Sequence, residues 1–144
     1  MLINCSIIIV GNSIMNKFLQ SELYWQSHLT QAQYQVCRCQ HTEPPFSHPL
    51  LYCNQVGDYV CCGCSNVLFS HKTKFDSGSG WPSFYAPVAP HSLQLKKDQS
   101  LSMSRTEVLC ACCEAHLGHV FDDGPAPTGK RFCINGLALV FKPR

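Results

Sequence analysis

Cys61-x-x-Cys64 and Cys110-x-x-Cys113 are two cysteine knuckles separated by a long insertion. Zinc in a structural role prefers four thiolates in a closed tetrahedron, and two knuckles on distant hairpins supply that set. Cys62 and Cys112 are neighbours of these ligand positions and compete with them, but only the 61/64 and 110/113 choice leaves two intervening residues on both sides. Four reduced core cysteines without metal, or two thiol redox centres, are the alternative readings of the same spacing.

Cys133 stands apart from the knuckles in the run Arg131-Phe-Cys-Ile-Asn135. Side chains repeat every second residue along a strand, so Arg131, Cys133 and Asn135 share a face there. A guanidinium beside a thiol favours the nucleophilic thiolate. An inert buried cysteine is the plainer reading of the same residue. His116 and His119 form a close imidazole pair suited to proton transfer near neutral pH, against which stand a further zinc contact or a solvated turn. Asp76-Ser-Gly-Ser-Gly-Trp81 reads as a glycine-hinged loop presenting an indole, or else as a turn leading to a core aromatic.

The elements that must position these groups are mostly strands. Asp58–Val60 and Val67–Phe69 are expected to flank the first knuckle as a hairpin, and Thr106–Leu109 with His119–Phe121 the second. Arg131–Phe141 reads as one long strand, with Leu137, Leu139 and Phe141 on one face. One short helix is expected within 14–36, on Ile14, Phe18, Leu19, Tyr24 and Leu29, with Thr30 as an N-cap before Gln31–Gln35. Ala86–Ser104 reads as a surface excursion. Pro and Gly punctuate the chain from Cys37 onward, which fits a mainly β fold.

At 144 residues with a net charge of +2, the chain fits one domain and lacks the basic stripe a nucleic-acid binder needs. Eleven cysteines approach the density of a secreted disulfide scaffold, yet the count is odd and the pairs are of C-x-x-C type. Metal binding or redox chemistry in a reducing compartment fits better, placing the protein inside a cell, in the cytoplasm or an organelle. The apolar run Ile7–Val10 is too short to span a bilayer and makes a poor signal peptide. Residues 1–28 are therefore expected to be a leader or arm of unknown role, and 29–144 the domain.

Four strings then carry a family resemblance: Lys74-Phe-Asp-Ser-Gly-Ser-Gly-Trp-Pro-Ser-Phe84, Arg105-Thr-Glu-Val108, Ala115-His-Leu-Gly-His-Val-Phe-Asp-Asp-Gly-Pro125 and Gly129-Lys-Arg-Phe-Cys-Ile-Asn135. With Thr42-Glu-Pro-Pro-Phe46 upstream, they resemble, in order, the signature blocks of B-type methionine sulfoxide reductases. The resemblance implies two twisted antiparallel sheets in a tent, with one structural zinc far from the active site. It implies that Cys133 attacks the sulfur of the R sulfoxide and becomes a sulfenic acid, while His119, His116 and Asn135 bind and protonate the oxygen. Trp81 and Phe132 would contact the substrate, and Arg131 with Asp123 would tune the thiolate. It also implies repair of oxidised methionine, free or in proteins, by a monomer with no membrane or nucleic-acid partner. Electrons would come from thioredoxin or another thiol, with no flavin or nicotinamide.

Many relatives place a resolving cysteine in the Gly-x-Gly-Trp loop, where this chain has Ser79. A sulfenic acid at Cys133 must then be resolved by another thiol. Among Cys5, Cys37, Cys39, Cys53, Cys62 and Cys112, the N-terminal Cys37 or Cys39 is the internal candidate, and direct attack by the reductant is the other route. His41, Ser102 and Gly136 are smaller departures that bear on turn geometry. A zinc-binding interaction module on the same fold is the rival reading, and a secreted disulfide-rich protein a second.

Overall fold

The computed structural model describes residues 7–10, 13–16, 20–100 and 103–144; Cys5, Phe18, Leu19 and Ser102 lie outside the described residues. The fold is mainly β, with two helices and two principal antiparallel sheets. A separate hairpin pairs β1 (Ile7–Val10) with β2 (Ser13–Asn16).

The helical region divides into α1 (Glu22–His28) and α2 (Gln31–Cys39), where the sequence suggested a single helix within 14–36. Thr30 is the reason. Its hydroxyl accepts from Gln33 N–H at 3.1 Å while the Gln33 side chain accepts from Thr30 N–H at 3.0 Å, a capping box that starts a new helix. The Ser21 hydroxyl caps α1 by accepting from Tyr24 N–H, and Gln40 ends α2 in the left-handed conformation. Both helices turn an apolar face to the core: Trp25, Leu29, Val36 and Cys37 are buried in it. Trp25 belongs to α1, so this helix packs onto the core.

The smaller sheet has the order β11 (Leu139–Pro143), β3 (Gly57–Cys61), β4 (Val67–Ser70). The larger has the order β5 (Lys74–Phe75), β6 (Ser83–Phe84), β10 (Arg131–Ile134), β9 (His116–Phe121), β8 (Arg105–Cys110), β7 (Leu93–Asp98). Phe69 stacks on Phe84 with ring centres 4.3 Å apart, and Tyr59 meets Phe84 edge-on at 5.0 Å, joining the two sheets through one aromatic core.

Two expectations are corrected here. The run 131–141 is two strands in different sheets, because Gly136–Ala138 forms a 3-10 turn after Asn135. Gly136 permits that turn: any Cβ there would overlap the His48 ring. The stretch 86–104 is not only an excursion, since it supplies β7, which pairs with β8 from Leu93↔Cys110 to Asp98↔Arg105. Its exposed residues Gln94–Lys97 include two lysines, as edge strands commonly do.

Candidate active site and metal centre

The two knuckles are copies of one backbone device. Cys61 N–H bonds Asn66 C=O at 2.8 Å and Ser65 N–H returns to Cys61 C=O at 2.9 Å; Cys110 N–H bonds Ala115 C=O at 2.9 Å and Glu114 N–H returns to Cys110 C=O at 2.9 Å. Ser65 and Glu114 take matching left-handed φ values of 65° and 62° to close each turn. Cys61, Cys64, Cys110 and Cys113 are buried, with their sulfurs all within 4.8 Å of one another. Cys61 meets Cys113, and Cys64 meets Cys110, at 3.6 Å each. A regular tetrahedron with metal–sulfur bonds of about 2.3 Å sets sulfurs about 3.8 Å apart, so the four residues fit a zinc-sized ion. Sulfur-to-sulfur hydrogen bonding pushes Cys113 up and pulls Cys110 down, a division of protons that a dication would replace with four thiolates.

Away from this cluster, a cavity of about 250 Å³ is lined by Ser79, Trp81, His119, Arg131, Cys133 and Asn135, with Thr42, Arg105, Gly118 and Phe121. The β-sheet register builds it. Cys133 on β10 lies opposite His119 on β9, and opposite residues of an antiparallel pair point to the same face. Gly118 allows the strands this close, because a Cβ there would collide with the Cys133 carbonyl. Alternation places Arg131 and Cys133 in the cavity and sends Phe132 and Ile134 to the core. Phe132, expected to contact substrate, is not among the residues lining this cavity: its ring is buried and packs 5.9 Å from Phe69.

Burial raises the Cys133 thiol above its ordinary value, and the hydroxyl of Ser79 and the charge of Arg131 only partly pull it back. The thiolate expected from Arg131 alone is opposed by desolvation. Arg131 also divides its attention: Nε and Nη2 fork onto Asp123 at 2.9 and 3.2 Å, and the guanidinium lies 4.5 Å over the Phe121 ring. Asp123 is exposed and absent from the cavity lining; it holds Arg131, and its own negative charge also pushes the Cys133 thiol up.

His119 Nε2 is 2.8 Å from a carboxylate oxygen of Asp98, whose carboxyl is held well below the usual range chiefly by that contact. His116 does not line the cavity. It is 3 % exposed, with Nδ1 2.6 Å from Glu107, and its ring meets His119 edge-on at 5.4 Å. Burial pulls His116 below its ordinary value. Its Nε2 is buried with no hydrogen-bond partner among the described residues. Gln40 donates to Glu107 at 3.1 Å, fixing that carboxylate from α2's end.

Glu43 is the anchor that sequence reasoning missed. Its carboxylate accepts from Gly136 N–H at 3.0 Å and Leu137 N–H at 2.9 Å, capping the 3-10 turn after Asn135. Its backbone N–H donates to Asn135 Oδ1 at 2.9 Å, and its carbonyl accepts from Trp81 Nε1 at 2.9 Å. Asn135 Nδ2 spends one N–H on Leu117 C=O at 3.0 Å. Glu43, like Glu107, sits inside a string quoted above, but Asp98 carried no such signal.

Of the two internal candidates, Cys37 is 2 % exposed with its sulfur 3.5 Å from that of Cys62, whereas Cys39 is exposed. Next to Cys133 stands Ser79, its Oγ 3.8 Å from the sulfur. No helix among the described residues is long and apolar enough to cross a membrane.

Residues 29–143 match the SelR domain. The chain is similar to the peptide methionine sulfoxide reductase MsrB of Methanosarcina barkeri, 53 % identical over 123 residues that cover 85 % of this chain and 87 % of the relative. It is likewise similar to proteins of the same name from Bradyrhizobium diazoefficiens, 50 % identical over 90 % of this chain and 93 % of the relative, and Pseudomonas putida, 53 % identical over 83 % and 90 %. With a family match over most of its length and relatives this close, the chain belongs to the SelR family of B-type methionine sulfoxide reductases, a family of oxidoreductases.

Proposed function

We propose that the protein reduces the R epimer of methionine sulfoxide, free or within proteins, with Cys133 as nucleophile. The observation that supports this most is the convergence of Cys133, His119, Trp81, Arg131 and Asn135 on one cavity. Trp81 offers an apolar wall for the methyl group, and the spare N–H of Asn135 is a donor for the sulfoxide oxygen. As the Cys133 sulfur bonds the sulfoxide sulfur, His119 gives a proton to the oxygen, and that hydroxyl passes to Cys133 as the methionine thioether leaves. The products are methionine and a Cys133 sulfenic acid. His116 and Glu107 support His119 from behind, and Arg131, held by Asp123, stabilises the sulfur anion as it forms.

A thiol then attacks the sulfenic acid, releasing water and leaving a mixed disulfide; a second thiol restores Cys133 and carries away the disulfide. Thioredoxin or a small thiol fills this role directly, since Ser79 occupies the neighbouring position and cannot form a disulfide. The four-cysteine cluster would hold zinc, which ties the knuckles together and takes no part in the reaction. The reductase domain spans 29–144 with α1 packed onto it, acts as a monomer in a reducing compartment, and serves to repair oxidised methionine.

Replacing Cys133 by Ser tests the proposal with each epimer of a methionine sulfoxide substrate. Loss of R-epimer reduction with metal content retained is the expected result; unchanged turnover would end the assignment.

A further inference from the structure

Cys37 and Cys62 take no part in the metal cluster or the reaction, yet their sulfurs touch at 3.5 Å across 25 residues of sequence. Cys37 is buried in α2, and Cys62 is half-buried between the ligand positions Cys61 and Cys64. The knuckle itself asks nothing of Cys62, because the tetrahedron is complete without it. We infer that Cys37 and Cys62 form a second redox site, a dithiol that a hydroperoxide closes to a disulfide beside the metal centre.

The geometry orders the steps. Cys62 is the less buried residue of the pair, so it attacks the peroxide O–O bond, releasing water and becoming a sulfenic acid. Cys37, buried against it, then displaces that hydroxyl as a second water and forms the S–S bond. In sum, two thiols and one hydrogen peroxide give one disulfide and two waters. Closure brings the sulfurs from 3.5 Å to about 2.05 Å.

Closure has a structural consequence. Arg38, next to Cys37 on α2, already donates to Cys113 C=O at 2.8 Å, clasping the helix to the second knuckle. A 37–62 bond clasps the same helix to the first knuckle, whose Cys62 N–H also bonds Ala138 C=O at 2.9 Å. Both knuckles are then pinned to one helix, and the local opening that releases the metal is suppressed. This retention effect rests on the zinc reading above; the disulfide does not.

The test uses the zinc-loaded full chain carrying Cys133→Ser, treated with equimolar hydrogen peroxide, alkylated and mapped by peptide mass. A Cys37–Cys62 linked peptide, reversed by dithiothreitol and absent from Cys62→Ser and Cys37→Ala, is expected. Alkylated Cys37 with Cys62 as a sulfinic acid, or either one linked to another cysteine, would overturn it. Zinc transfer to a chromogenic chelator should be several-fold slower after oxidation; equal or faster transfer would overturn the retention effect. A protein with no zinc at the outset would count against the zinc reading alone, with the peptide map still deciding the disulfide.

Discussion

Ser79 Oγ lies 3.8 Å from Cys133 Sγ, held there by a hydroxyl chain in which Ser77 donates to Ser79 at 2.8 Å and meets Ser83 at 2.7 Å. The serine is thus a hydrogen-bonding neighbour of the nucleophile where a cysteine would be a partner for it.

Exchanging that oxygen for sulfur should convert one role into the other. Ser79→Cys is expected to give a 79–133 disulfide after one turnover without reductant, read as a linked peptide. Ser79→Ala removes a donor that lowers the Cys133 thiol, so alkylation of Cys133 should shift to higher pH. An unchanged alkylation profile would show that the hydroxyl does not act on the sulfur.

Glu43 joins the segment before the first sheet to the turn after Asn135 through two buried charge-assisted bonds. Glu43→Gln faces one N–H with a donor and should cost about 2 kcal/mol. A fall in Tm of about 6 °C by calorimetry is the matching readout. Because Trp81 and Asn135 hang on the same residue's backbone, kcat/KM should fall as well. A variant as stable and active as the parent would contradict the anchoring role.

Acidification should destabilise the fold in two stages. His116 is held down by burial, so below about pH 6.5 the unfolded chain takes up a proton that the folded chain refuses. Asp98 is held down by His119, so its contribution is present above about pH 4 and is lost as pH falls further. Both stages have the unfolded state binding more protons, hence stability rising with pH. Thermal melts across this range test the sign, and Asp98→Asn should flatten the lower stage. A Tm that climbed on acidification would refute both attributions.

Two neighbouring aromatics should separate cleanly by kinetics. Phe132→Leu trims the core and should cost about 1 kcal/mol with KM unchanged. Trp81→Phe keeps a ring in the cavity but loses the bond to Glu43 C=O, and should raise KM. The reverse pattern would place Phe132, not Trp81, against the substrate.

What was legible in the sequence was local. The knuckles, Thr30's capping role and the alternation of Arg131 and Cys133 each depend on residues within a few positions, and each stands in the structure. The break after Asn135 was hidden because it is enforced from a distance: Glu43 is 93 residues from Gly136, and His48 presses on the glycine. Asp98 was hidden for the opposite reason. Its strand is an edge, exposed at Gln94–Lys97, so it lacks the apolar alternation that identifies a buried one. The opposing push on the Cys133 thiol was not legible because burial, which sequence does not display, acts against the nearby Arg131.

The most direct test is a single turnover in the absence of any thiol, using R-sulfoxide labelled with heavy oxygen. One equivalent of methionine is expected, with the labelled oxygen on Cys133, trapped by chloronitrobenzoxadiazole, whose adduct keeps the sulfenic oxygen. Methionine formed in full with no label on Cys133, or with the label on another cysteine, would contradict it.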